Sequence, residues 1–222
     1  MSLRNREVLL VGGAGGLGVE TARLLGSEGA NVVVGSRHSG VRADITIAED
    51  RARLLDAVPR LYGLVIFAGD PARGNPAEAM RLSHDVNYAG PILLAREAAE
   101  RLRQTNTPGS IVLFSTMQAV ALFPGSTVYA GAKAALAHAA LILAKECRGR
   151  MNIRVNVVAP GVIAAGMAEA SIAGGKYDGY LAEDIVPRFG RPIDVARAVR
   201  FFLEPDNYIT GQVLSVDGGI TL

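Results

Sequence analysis

The sequence predicts an α/β protein: a parallel sheet of about seven strands with helices on both faces. Three observations carry this. Short apolar runs of strand length alternate with longer helical patterns, as repeated strand–helix–strand crossovers require. A glycine-rich turn follows the first apolar run and opens a helix. No repeat, low-complexity stretch or linker divides the 222 residues, a length that one α/β domain commonly fills.

Taken in order, Val8 to Val11 reads as the first strand and Val19 to Ser27 as the helix after the turn. Asn31 to Val34 is a second strand. Leu64 to Phe67, Ser110 to Phe114 and Ile153 to Val158 are three more, each ending near Gly, Ser or Pro, and Gln212 to Val216 is the last. Long helices are predicted around Ala77 to Gln104 and Ser126 to Cys147, with another from Pro192 to Phe202. The stretch from Arg37 to Asp44 has room for a loop but not for a crossover helix, which normally takes about a dozen residues. Either the third strand is short and peripheral, or a tight loop replaces the helix.

Composition narrows the function. The 23 basic and 21 acidic side chains give a net charge of +2 with no dense basic block, so neither nucleic acid nor an anionic membrane surface is implied. Cys147 is the only cysteine, which excludes an intrachain disulfide and fits a reducing compartment. No signal-peptide pattern precedes the first strand, and no apolar run reads as long enough to span a bilayer. The expectation is a cytoplasmic protein.

The turn runs Val11, Gly12, Gly13, Ala14, Gly15, Gly16, Leu17, Gly18. Glycines let the backbone turn sharply and let a pyrophosphate approach the free N–H groups of a helix N-terminus. Two registers fit: Gly13, Gly15 and Gly18 match G-x-G-x-x-G, while Gly12, Gly16 and Gly18 match G-x-x-x-G-x-G. Between a strand and a helix, this is the signature of a Rossmann-type dinucleotide site. The end of the second strand indicates which nucleotide. It reads Gly35, Ser36, Arg37, His38, Ser39, with no carboxylate before Asp44. An acidic residue there bonds the ribose hydroxyls of NAD, whereas an arginine accommodates a 2′-phosphate. Arg37, helped by the Ser36 or Ser39 hydroxyl, therefore points to NADP(H) in preference to NAD(H).

Tyr129 and Lys133 lie four residues apart in a predicted helix, one above the other on the same face. An ammonium beside a phenol favours phenolate, which lowers the tyrosine's pKa toward the range a general acid or base needs.

With the glycine turn, Asn87 and the Tyr129–Lys133 spacing, the chain resembles the short-chain dehydrogenase/reductase family, in its shorter, NADP-preferring form. The resemblance extends to the tail, through Pro187 to Ala196 and Tyr208 to Gly219. It implies that Tyr129 is the general acid/base that interconverts a carbonyl and an alcohol by hydride transfer. Lys133 then lowers the tyrosine's pKa and bonds the nicotinamide ribose, and Asn87 holds a proton-relay water. Thr116 stands at the position of the carbonyl-polarising serine, thirteen residues before the tyrosine. Asp44 and Ile45 match the adenine contacts, Ala68 and Gly69 the loop after the fourth strand, and Pro160, Gly161, Val162 and Ile163 the nicotinamide cradle.

The chain departs from the family pattern at several places. The Asn-Asn-Ala-Gly motif is Ile66, Phe67, Ala68, Gly69, Val11 replaces a common threonine, and Ala165 stands where a threonine often bonds the carboxamide. Adaptation within an active enzyme is the favoured reading, and a weak or inactive NADP-binding protein with a sensing or scaffolding role is the alternative. The histidines at 38, 84 and 138 are too scattered for a metal site. Alanines and glycine around Lys133, from Ala130 to Ala137, make a smooth helix surface of the kind the family pairs between subunits, which implies a homodimer or homotetramer. Between Ala164 and Arg188 the composition suggests a mobile lid over a small, moderately apolar substrate.

Overall fold

The computed structural model of the chain describes residues 2–71 and 76–222. Its strands are β1 (Glu7–Val11), β2 (Asn31–Ser36), β3 (Val41–Arg42), β4 (Leu61–Ile66), β5 (Gly109–Phe114), β6 (Ile153–Pro160) and β7 (Val213–Val216). All pair in parallel, in the order β3-β2-β1-β4-β5-β6-β7. The strand order reverses between β1 and β4, and a ligand crevice belongs at that switch point. Every residue of β4 and β5 is buried, as strands covered on both faces must be.

Helices α1 (Gly16–Ser27) and α8 (Pro192–Leu203) cover one face; α4 (Gly90–Gln104) and α5 (Thr127–Glu146) cover the other. Side chains of β1 alternate between the two layers. Leu9 and Val11 join Leu94, Ala98, Leu136 and Ala140 in one core, while Val8 and Leu10 join Leu25, Val199 and Phe202 in the second. Beneath the C-terminal end of α8, Ser110 and Arg154 donate to the Phe202 carbonyl (both 2.7 Å), and the Tyr62 hydroxyl donates to that of Leu203 (2.9 Å). These bonds satisfy carbonyls that the helix end leaves unpaired, which accounts for three polar groups inside the core.

The region between Arg37 and Asp44 resolves the two alternatives together. β3 is a two-residue edge strand, reached from β2 without a helix. A nine-residue helix, α2 (Ala48–Asp56), follows it and escaped the sequence reading. Its few apolar positions give little periodicity, and a buried Arg51, paired with Glu97 at 3.0 Å, takes a place an apolar residue would mark. The predicted helix from Ala77 to Gln104 is α3 (Pro76–His84) running into α4 through a π-turn, Asp85–Ala89. Contrary to expectation, α5 is long and apolar enough, by length and composition, to cross a membrane. It packs on β6 and buries Lys133, Leu136, Ala140, Leu143 and Ala144 on one face, leaving most of its surface open.

Candidate active site

The C-terminal ends of β1, β2, β4, β5 and β6 open into one cleft of about 940 Å³. Gly12 follows β1 with φ +78°, and a Cβ there would lie 2.6 Å from the Ala68 nitrogen. Gly18 packs so closely that its Cβ would fall 2.2 Å from the Gly13 Cα. Gly12, Gly15, Gly16, Leu17 and Gly18 line the cleft and Gly13 does not, so the Gly12–Gly16–Gly18 register is the one that faces it. Gly15 caps α1 without a side chain, and the first turn of α1 holds no acidic residue. The first N–H groups of the helix are therefore left to an anion.

Ser36 and Arg37 line the cleft with His38, while Ser39 lies outside its wall. The Ser36 hydroxyl accepts from the backbone N–H groups of His38 (3.2 Å) and Ser39 (2.8 Å) and donates to the Ser39 carbonyl (2.8 Å). It shapes the loop and is spent there. Arg37 is exposed and makes no ion pair among the described residues. Asp44 accepts from the Thr46 N–H (2.9 Å) and hydroxyl (2.7 Å), and with Ile45 it borders this end of the cleft, as Ala68 and Gly69 border the middle.

Tyr129, Lys133 and Thr116 meet at the β5 side, opposite Pro160, Gly161, Val162 and Ile163. The Lys133 ammonium donates to the Phe114 carbonyl at 2.9 Å, and only 2% of the residue is exposed. Burial pulls the Lys133 pKa down to about 8, and desolvation pushes that of Tyr129 up to about 12. The lysine is expected to lower the tyrosine; the tyrosine's pKa moves upward instead, and the cause is the removal of water from the phenolate. The Thr116 hydroxyl accepts from the Gln118 N–H at 3.4 Å, so its own proton stays available to the cleft.

Asn87 is fully buried and stands behind the wall rather than in it. Its amide clasps the backbone of Asp70 at both ends, accepting from the N–H (2.9 Å) and donating to the carbonyl (2.8 Å), and it also donates to the Ser83 hydroxyl (3.0 Å). Gly69 is enclosed between Asn87 and Lys133: a Cβ on it would lie 3.1 Å from the Asn87 Oδ1 and 3.4 Å from the Lys133 Nζ. Asn87 thus fixes the loop against which the lysine rests.

Other residues complete the wall, Phe67 and Ala165 at positions the family pattern marked and the rest not legible as such. The Phe67 and Phe114 rings pack with centroids 4.5 Å apart, and both face the cleft. The second amide of the family motif is thereby replaced by an aromatic contact beside the carbonyl that holds Lys133. Ser115 donates to the Lys133 carbonyl at 3.0 Å, tying α5 to the end of β5. Gln118 and Ser126 form a 2.5 Å hydrogen bond on the same wall. Ala165 faces Gly16 closely, a Cβ on the glycine falling 2.9 Å from its own. Arg188 and Arg191 hold Asp194 well below the usual carboxylate range, Arg188 at 2.7 Å. That ion pair anchors the segment before α8, which is joined to the end of β6 where Gly190 donates to the Val162 carbonyl at 2.9 Å.

A parallel sheet with its crevice at the switch point, walled by a glycine turn and by a tyrosine and a buried lysine, is the architecture of a Rossmann-type oxidoreductase. The chain belongs to the short-chain dehydrogenase/reductase family: the family model described as enoyl-(acyl carrier protein) reductase matches residues 35–221. It is 30% identical to carbonyl reductase family member 4 of Danio rerio, over 98% of this chain and 99% of that protein. A short-chain type dehydrogenase/reductase from Mycobacterium ulcerans superposes with a TM-score of 0.90 at 29% identity, covering 100% of this chain and 91% of its own. The structure of ElxO with NADP bound superposes at 0.85 and 25% identity, covering 97% and 98%.

Proposed function

We propose that the protein is an NADP(H)-dependent oxidoreductase that interconverts a carbonyl and an alcohol on a small substrate, with Tyr129 as general acid/base. The observation that carries this is the continuity of one cleft from the Gly12–Gly18 turn and Arg37 to Tyr129, Lys133 and Thr116. The residues present fit the cofactor. Free N–H groups at the start of α1 suit a pyrophosphate, close backbone approach at Gly12 leaves room for it, and the unpaired Arg37 suits a 2′-phosphate. Ser36, Asp44, Ile45, Ala68, Gly69 and the segment from Pro160 to Ile163 complete the binding wall. The nicotinamide, when bound, supplies or accepts the hydride.

The chain's own groups handle the proton. A phenol held near pKa 12 is protonated at neutral pH, so Tyr129 is poised to donate to a carbonyl oxygen. Thr116 adds a second hydrogen bond to that oxygen, stabilising the charge that develops there. Lys133, with a pKa of about 8, is mostly cationic at neutral pH and favours the phenolate left after proton transfer. Asn87 acts through the Asp70 loop as a positioning residue. The face of α5 that exposes Gly131, Ala134, Ala135 and Ile142 supports a homodimer or homotetramer, and sedimentation showing only monomer at micromolar concentration speaks against it.

The test is a titration of NADPH and NADH on wild type and Arg37→Ala, followed by a ketone panel. Wild type is expected to bind NADPH at least about tenfold more tightly than NADH, as one charge-assisted contact gives, and the variant to lose that difference. Equal affinities in wild type defeat the cofactor assignment. Tight NADPH binding without turnover of any ketone points instead to a sensing or scaffolding role.

A further inference from the structure

The substrate end of the cleft, beyond Tyr129 and toward the lid, has a lopsided charge. Among the described residues that line the cleft, the one carboxylate is Asp44. It lies at the β3 side, four strand spacings from β5 in the sheet order, on the order of 19 Å away. The acids of the 164–188 segment, Glu169, Asp178, Glu183 and Asp184, do not line the cleft. Lys176 does line that end, is exposed, and makes no ion pair among the described residues.

Its position is built by the local chain. Gly175 reverses the backbone with φ +72°, and the Lys176 N–H donates to the Ser171 carbonyl at 3.0 Å. The ammonium then sits 5.5 Å from the centroid of the Tyr177 ring, which in turn stacks on Tyr180 at 6.3 Å. On the cleft wall the Ser126 hydroxyl donates to the Gln118 Oε1. That bond orients the amide and leaves its NH₂ group without a protein partner among the described residues. Among the described residues no buried side-chain nitrogen or oxygen lacks a partner, so this NH₂ is solvent-accessible, on a residue that lines the cleft. The same cleft is also lined by apolar Met117, Phe123 and Met167.

Two donors, one of them a full positive charge, therefore line a cleft whose one carboxylate among the described residues is the distant Asp44. Resting on the carbonyl–alcohol reading above, we propose that the substrate carries one carboxylate beyond its reacting carbonyl, received by Lys176 and Gln118. The substrate class is a keto acid, or the corresponding hydroxy acid in the reverse direction, with a short apolar spacer. A neutral ketone leaves both donors to water and gains nothing from them, while a phosphate ester brings more charge than one lysine matches.

The experiment compares linear keto acids, from 4-oxopentanoate to 8-oxononanoate, with their methyl esters under NADPH. Wild type is expected to favour the acid about tenfold in kcat/KM at the best chain length, the size of one charge-assisted contact. In Lys176→Met that ratio should fall to about one through KM, in Gln118→Leu it should fall partway, and in Lys145→Met, on the outer face of α5, it should not change. Added salt should compress the wild-type ratio. Esters turned over as well as acids at every length, with Lys176→Met unchanged, overturn the proposal and leave the oxidoreductase reading standing. If neither acid nor ester turns over, the carbonyl–alcohol reading fails first. Calorimetric titration of each pair into the NADPH-saturated protein then decides the carboxylate: tighter binding of the acid supports it, and equal affinity overturns it.

Discussion

At one end of the cleft, backbone packs on backbone: Gly18 lies against Gly13, Gly12 against Ala68, and α1 closes on a buried strand. At the other, α6 (Glu169–Ala173) and α7 (Asp178–Ala182) bury no residue at all. Gly175 there meets nothing nearer than the Asp178 carboxylate, and Gly166 meets nothing within 4 Å. The nucleotide end is thus fixed by sterics that a single methyl group would violate. The lid end is held by its flanks, through the Asp194 ion pairs and the Gly190 backbone bonds, and its interior is free to open locally. The proposed function accounts for the difference: a dense end that fits one cofactor chemistry, and a loose end that admits and releases a substrate.

Tyr129 stands where the two ends meet, and its loss should have the largest effect. Tyr129→Phe removes the transferable proton and keeps the ring, so kcat should fall about 10²- to 10⁴-fold with little change in thermal stability or NADPH affinity. Steady-state kinetics beside a melting curve checks both, and undiminished turnover sinks the assignment.

Breaking the dense end should cost stability. Gly12→Ala places a methyl group against the Ala68 backbone at a positive φ, which combines strain with overpacking and should destabilise by about 3 kcal/mol. Urea unfolding measures this. A loss below about 1 kcal/mol would mean that the turn yields as easily as the lid.

Burial of Lys133 has a comparable cost, visible through pH. Its pKa is about 8 in the folded chain against an ordinary 10.5. Between those values the unfolded chain holds more protons, so this group's contribution makes stability rise with pH, by about 3 kcal/mol in all. Tyr129 has the opposite sign: raised from 10 to about 12, it makes stability fall with pH across that interval. Wild type minus Lys133→Met, followed by melting from pH 7 to 10, should isolate the rise. A flat difference would mean that the lysine is not desolvated in solution.

Much of this was legible in the sequence, and the omissions have physical causes. Period and punctuation located the sheet, because buried parallel strands are apolar throughout. They could not show the π-turn at Asp85–Ala89, where one extra residue per turn leaves the apolar pattern almost intact. The glycine turn, Tyr129, Lys133 and Thr116 came together as expected. Spacing placed lysine beside tyrosine, but which of charge and desolvation prevails depends on the walls. Those walls include Phe67 and Phe114, 47 positions apart in the chain and joined only because β4 and β5 are neighbours. Composition marked residues 164–188 as the substrate region, but its short helices carry no strong periodicity, so nothing singled out Lys176 or Tyr177 as lining the cleft.

The smallest expected effect probes the loose end directly. Gly179 lies in α7, is exposed, and a Cβ there would meet only the Glu183 carboxylate at 3.9 Å. Gly179→Ala should favour the local helix by about 0.5–1 kcal/mol. If the lid opens independently of the sheet, that gain belongs to its local opening equilibrium and not to global unfolding. Amide exchange across residues 178–182 should slow about two- to fivefold while the melting temperature stays where it was. Should opening also govern product release, kcat will fall with the exchange rate. A rise in melting temperature with no local slowing would show instead that the lid unfolds together with the sheet, and the contrast between the two ends would be one of packing alone.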